Sequence, residues 1–155
     1  MKEDIVIRDY VAEDLAFFYK SCLHHYKHSS LYTRYINDEV FYDSHHYLIT
    51  QCLRRPTAVL RFASLAEDPN IVFGFIWADL EPETVHYIYV KKAFRRLGIA
   101  RLLIDDVFDD DQEIYFTHMT RDAGFIIEKI KGFIYNPYLL HQSIYNFSKQ
   151  PTGKQ

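Results

Sequence analysis

Two cysteines in a chain of 155 residues are too few for a disulfide framework, and Cys22 and Cys52 are not spaced as a Cys-x-x-Cys pair. Both are expected to be reduced, mostly buried thiols of a cytoplasmic protein. No apolar run approaches the roughly 20 residues that span a bilayer. The first residues, Met1-Lys2-Glu3-Asp4-Ile5-Val6, carry no signal-peptide apolar region. Positive charge is also scarce: 18 Lys and Arg against 21 Asp and Glu give a formal charge of −3, with no basic run. Bulk binding of nucleic acid through a broad positive surface is therefore not expected. Neither a His-Glu-x-x-His nor a Gly-x-Ser-x-Gly string occurs, and internal repeats and linkers are absent. Aromatic side chains, in contrast, are plentiful at 17% of the chain, with 13 Tyr and 12 Phe. A thick core explains that number, and so does a pocket lined by amphipathic rings.

Length and pattern predict one domain over residues 1–150 and a disordered tail over 151–155. Ile5-Val6-Ile7-Arg8 reads as a first strand. Ala12, Leu15, Ala16, Tyr19, Cys22, Leu23 and Tyr26 recur at steps of three and four, one face of a helix. Val11 is a poor cap for its start. Residues 28–38 lack a period and read as a loop, followed by a second helix over 39–54. Strands are predicted over 57–65, 71–77, 84–90 and 113–118. Helices are predicted over 100–108 and 121–131, and two short extended pieces close the chain.

The most informative stretch is Val85-His86-Tyr87-Ile88-Tyr89-Val90, a connector, then Arg95-Arg96-Leu97-Gly98-Ile99-Ala100 opening into a helix. Amide groups at a helix start lack intrahelical partners and carry partial positive charge, which suits a phosphate. Gly98 removes the Cβ that would hold an anion away, and Arg95, Arg96 and Arg101 supply cations. An ordinary strand-to-helix turn with a glycine would show the same string. The stretch resembles the pyrophosphate loop of the GCN5-related N-acetyltransferases (GNAT), Arg/Gln-x-x-Gly-x-Gly/Ala after a strand ending in Val. Three further segments resemble that family in the right order: Ile7-Arg8 with Asp14, Val72-Phe73-Gly74-Phe75, and Arg121-x-x-Gly124-x-x-Ile127-Glu128-Lys129-Ile130-Lys131-Gly132-Phe133.

The resemblance implies an α/β (α+β) fold, a mixed and mostly antiparallel sheet flanked by helices in the order β-α-α-β-β-β-α-β-α-β-β. It implies acetyl-coenzyme A as acyl donor, its pantetheine arm on the backbone of Ile88, Tyr89 and Val90. The pyrophosphate would then lie on Arg95, Arg96, Leu97, Gly98, Ile99, Ala100 and Arg101. No metal is expected. His86 is the candidate base, read on the alternating face of Thr84 and Ile88; a cross-strand histidine at a sheet surface is the plain alternative. The family tyrosine that protonates the leaving thiolate falls on Glu128, so Glu128, Tyr135 and Tyr138 are the candidate proton donors. Packing explains most single tyrosines in so aromatic a chain. His24, His28, His45 and His46 read as a solvated helix face rather than a metal site.

The function expected is acetyl transfer to a primary amine by direct attack in a ternary complex. The acceptor is a small-molecule amine or a protein lysine, and the protein is a monomer or homodimer. The alternative is a coenzyme- or partner-binding module that kept the fold and lost turnover.

Overall fold

The computed structural model describes residues 4–109, 113–124 and 132–141. Six strands lie side by side in chain order: β1 (Ile5–Asp9), β2 (Ala58–Leu65), β3 (Val72–Leu80), β4 (Glu83–Val90), β5 (Ile114–Phe116) and β6 (Phe133–Tyr135). The first four pair antiparallel, while β5 and β6 join in parallel. This is the mixed, mostly antiparallel sheet that the family resemblance implies. β3 is central and covered on both faces, which is why its residues form an almost unbroken apolar run buried up to Asp79.

Helices α1 (Leu15–Ser29) and α2 (Asp38–Leu53) close one face over Phe18, Phe62, Phe75 and Trp77. Helix α3 (Ile99–Val107) closes the other over Ile76, Leu103, Ile104 and Phe116. It turns Ile99, Leu103 and Ile104 inward and leaves Arg101 and Asp105 exposed, the period of a one-sided helix. Both cysteines are free and buried, and burial pushes their thiol pKa values up.

The start of α1 is solved without a capping side chain at Val11. The Asp14 carboxylate accepts from the Val11 amide at 2.8 Å and from both terminal nitrogens of Arg8, at 2.7 and 3.0 Å. The Ile7-Arg8 and Asp14 pattern is thus a clamp between β1 and α1. Asn37 caps α2 by accepting from the Val40 amide. Between the two helices, the buried Lys27 ammonium donates to the carbonyls of Thr33 and Ile36 and fixes the loop from below.

At the far end the described residues cover only part of what the sequence predicts. Residues 138–141 are helical after β6, the first of the two expected closing pieces; residues 142–155, which follow, lie outside the described residues. Of the helix predicted over 121–131, residues 121–124 are helical and the rest lie outside the described residues. Among the described residues, no helix is long and apolar enough to cross a membrane.

Candidate active site

A β-bulge creates the site. β3 and β4 slip register so that Trp77 faces Tyr87 and Ala78 faces Val85, leaving His86 as the extra residue. Val85 and Ile88 pack on the α3 side, Tyr87 and Tyr89 on the α1–α2 side. His86 leaves the alternation that sequence reading gave it. It does not share the face of Ile88; its ring lies against Trp77, with centroids 4.6 Å apart.

The same region splays. β5 pairs with β4 only at Thr84 and Val85, and the last contact is the Thr117 amide on the Val85 carbonyl at 3.2 Å. From Tyr87 to Val90, β4 is bridged to β3 on one side and to no described strand on the other. A cavity of about 320 Å³ opens along this edge and runs to the N-terminus of α3. Its floor and walls include His86, Tyr87, Phe94, Gly98, Ile104 and His118.

The loop at the end of the cavity is held in left-handed backbone at Gly98 (φ 82°) and at Arg96 (φ 63°). Glycine tolerates that conformation freely; arginine does so at some cost. The Arg95 Nε atom donates to the Val90 carbonyl at 2.8 Å, and its Nη1 lies 3.7 Å from Asp122. Arg101 is engaged with Asp105 on the outer face of α3.

The side chains around the splay form two polar groups. In one, the Tyr87 hydroxyl is hydrogen-bonded to His25 Nδ1, and His25 Nε2 lies 3.8 Å from Asp122. Burial raises the Tyr87 pKa. Burial also lowers that of His25, the Arg95 charge adds to the effect, and Asp122 opposes it. In the other, Thr117 Oγ1 lies 3.0 Å from His86 Nδ1 and 2.8 Å from His118 Nδ1, while His118 Nε2 meets His45 Nε2 at 2.9 Å. Burial, with Arg55 nearby, pulls the His86 pKa down to about 3. Burial pulls His45 down to about 4, with a smaller push from His141. His118 falls well below its ordinary value through burial, then through His45 and His86; a contact with the His86 backbone weakly opposes this.

The sequence matches the Acetyltransferase (GNAT) family over residues 17–120. That span runs from the first turn of α1 through β5 and holds the whole cavity edge of β4. The chain belongs to the GNAT acetyltransferase family. Its fold resembles that of YycN from Bacillus subtilis, a candidate acetyltransferase. That likeness has 14% identity and a TM-score of 0.54 and covers 97% of this chain and 92% of that one. A candidate acetyl transferase from Pyrococcus furiosus is similar in fold at 15% identity and a TM-score of 0.51, with 97% and 95% covered. No curated protein matches the sequence.

Most residues expected of a GNAT site come together. Ile88, Tyr89, Val90, Arg95, Arg96, Gly98, Ile99 and Ala100 line the cavity with His86. Leu97 and Arg101 flank it without lining it. Of the candidate proton donors, Tyr138 is 74% exposed and Tyr135 packs against Phe116. Neither lines the cavity. Burial pushes the Tyr135 pKa up to about 12. Glu128 lies outside the described residues.

The histidines divide. His24, His28 and His46 are exposed, as a solvated face requires. His45 is not part of it, because α2 turns it onto His118. The sequence analysis does not single out His118, Thr117, His25 or Tyr87, and no motif marks them. Among the described residues, no group of three His, Cys, Asp or Glu could hold a metal.

Proposed function

We infer that the protein is an acetyl-coenzyme A-dependent N-acyltransferase that passes an acetyl group to a primary amine by direct attack in a ternary complex. One observation carries this reading: a single cavity joins the unpaired edge of β4 to the left-handed Gly98 turn at the start of α3. The residues fit the donor. Backbone from Ile88 to Val90 would hold its pantetheine arm as an added strand. Amides from Arg95 to Arg101, with the Arg95 and Arg96 cations, would hold its pyrophosphate. Bound there, the donor supplies a thioester whose carbonyl a β4 amide can polarise.

His86, which lines the cavity beside that edge, would take the proton that the attacking nitrogen sheds. The acceptor is a small amine or a protein lysine approaching from the α1–α2 side. There the interhelical loop exposes Leu31, Tyr32 and Tyr35. The test is calorimetry of acetyl-coenzyme A binding to Gly98→Glu, which puts a carboxylate and a Cβ where the anion must meet amides. Binding is expected to be lost in a folded variant. Unchanged affinity would overturn the assignment.

A further inference from the structure

Buried polar groups usually find partners, so a buried nitrogen without one calls for a reason. His86 is 2% exposed, and its Nε2 has no hydrogen-bond partner among the described residues. Its other nitrogen heads a continuous chain: Thr117 Oγ1 at 3.0 Å, then His118 Nδ1 at 2.8 Å, then His118 Nε2 to His45 Nε2 at 2.9 Å. The chain begins in the cavity wall and ends on α2 at His45, which is half-buried. Aromatic rings hold each imidazole in place: Trp77 against His86, Tyr26 against His118, and Phe41 stacked on His45.

We propose that His86, Thr117, His118 and His45 form a proton relay that serves both halves of acetyl transfer, taking a proton from the attacking amine and returning one to the leaving thiolate. The proposal rests on the acetyltransferase reading above. Burial keeps all three imidazoles neutral, so each has one N–H and one lone pair, as a relay requires. Arg55 is the cation whose charge reaches His86, and it opposes an imidazolium there. A lone His86 would therefore be a poor resting place for a proton. A relay lets it accept one without keeping the charge.

The protons can be counted. In the first arrangement Nε2 of His86 is a bare lone pair. Nδ1–H of His86 donates to Thr117, whose hydroxyl donates to His118 Nδ1, and His118 Nε2–H donates to His45. The amine attacks in its neutral form. As the C–N bond forms, one N–H of the amine breaks and Nε2–H forms on His86. Each proton in the chain moves one link, and His45 releases its Nδ1 proton to water. All links are then reversed and still satisfied, and Nε2–H is the free end of the chain, on a residue that lines the cavity. When the C–S bond breaks, the thiolate sulfur takes that proton. The chain shifts back, and His45 takes one proton from water. This fills the role left open where the family tyrosine is replaced at Glu128.

The test uses thiol release from acetyl-coenzyme A with hydroxylamine as the acceptor probe, alongside ¹⁵N spectra of the histidines. Thr117→Val removes the central hydroxyl and should lower kcat by about 10²-fold, with KM for acetyl-coenzyme A unchanged. Thr117→Ser keeps the hydroxyl and should stay within a few-fold of the parent. The solvent deuterium isotope effect should report several protons in the parent and fewer in Thr117→Val. If Thr117→Val does not fold, His45→Phe decides in the same assay, since it keeps the stack on Phe41 and removes the far end. Parent-like kcat in Thr117→Val and His45→Phe, with a large loss in His86→Ala, would overturn the relay and leave His86 as a lone base. An equal loss in Thr117→Ser would overturn it too, as a packing effect. Parent-like kcat in all three, or spectra showing charged imidazoles, would remove the histidines from the chemistry while leaving acetyl-coenzyme A binding intact.

Discussion

Gly74 on β3 lies so close to Tyr89 on β4 that no side chain fits between them. A Cβ on Gly74 would sit 3.0 Å from the Val90 Cα and closer still to the Tyr89 carbonyl oxygen. The contact sets where the backbone of Ile88 to Val90 runs, because Gly74 pairs with Val90 in the ladder. Gly74→Ala should therefore push that edge outward, at a cost of about 1–3 kcal/mol in stability. It should also weaken acetyl-coenzyme A binding by more than its stability loss explains at temperatures where the variant is folded. Denaturation and calorimetry on the same preparation check both. Full affinity in a folded Gly74→Ala would show that the β4 edge does not hold the donor.

The buried imidazoles make the fold sensitive to acid. His86 and His118 have folded pKa values below the ordinary 6.5, chiefly through burial. The unfolded chain therefore binds protons that the folded chain refuses. Their contribution to stability is complete above about pH 6.5 and is lost as pH falls toward their folded values, near 3 for His86. Each buried group contributes a slope of about 1.4 kcal/mol per pH unit in that window. Urea midpoints between about pH 7 and pH 5 should fall steeply, and His118→Gln should flatten the fall. A flat profile in the parent would show that these rings charge in place.

Much of this was legible because it is local. The apolar run of β3, the one-sided period of α3, and the step from Val90 to Gly98 each depend on neighbours in sequence. The relay was not legible, because His45 and His118 lie 73 residues apart and meet only once the sheet and α2 are assembled. The face of His86 was misread for a related reason. A bulge between Trp77 and Ala78 is a property of two strands together, and one strand read alone shows only alternation.

The tyrosines can be tested as proton donors to the thiolate one by one. Tyr138 is 74% exposed and Tyr135 packs on Phe116, both outside the cavity, whereas Tyr87 lies inside it. Tyr135→Phe and Tyr138→Phe should leave kcat within about twofold of the parent, in line with the small effects of substitutions away from a site. Tyr87→Phe removes the nearer partner of His25 Nδ1 and leaves it Ser29 Oγ at 3.4 Å, so it should cost about 1 kcal/mol in stability. Its effect on the chemical step should stay well below that of His86→Ala. A large kcat loss in Tyr138→Phe would place that ring at the reacting sulfur and contradict the exposed position.

The Arg95 guanidinium is already spoken for, lying 3.7 Å from the Asp122 carboxylate beside the cavity mouth. A polyanionic donor must compete with that carboxylate for the cation and also meets its repulsion. Asp122→Ala removes both effects. At an exposed pair the gain is modest, about 0.2–1 kcal/mol, so affinity for acetyl-coenzyme A should rise by up to about fivefold. The gain should shrink as salt is added, because exposed charges are screened. His25 loses its acidic neighbour in the same variant, and its already lowered pKa should fall further. Calorimetry at low and high salt reads the first effect and histidine NMR titration the second. Weaker binding in Asp122→Ala at low salt would mean that the carboxylate positions Arg95 for the donor rather than competing with it.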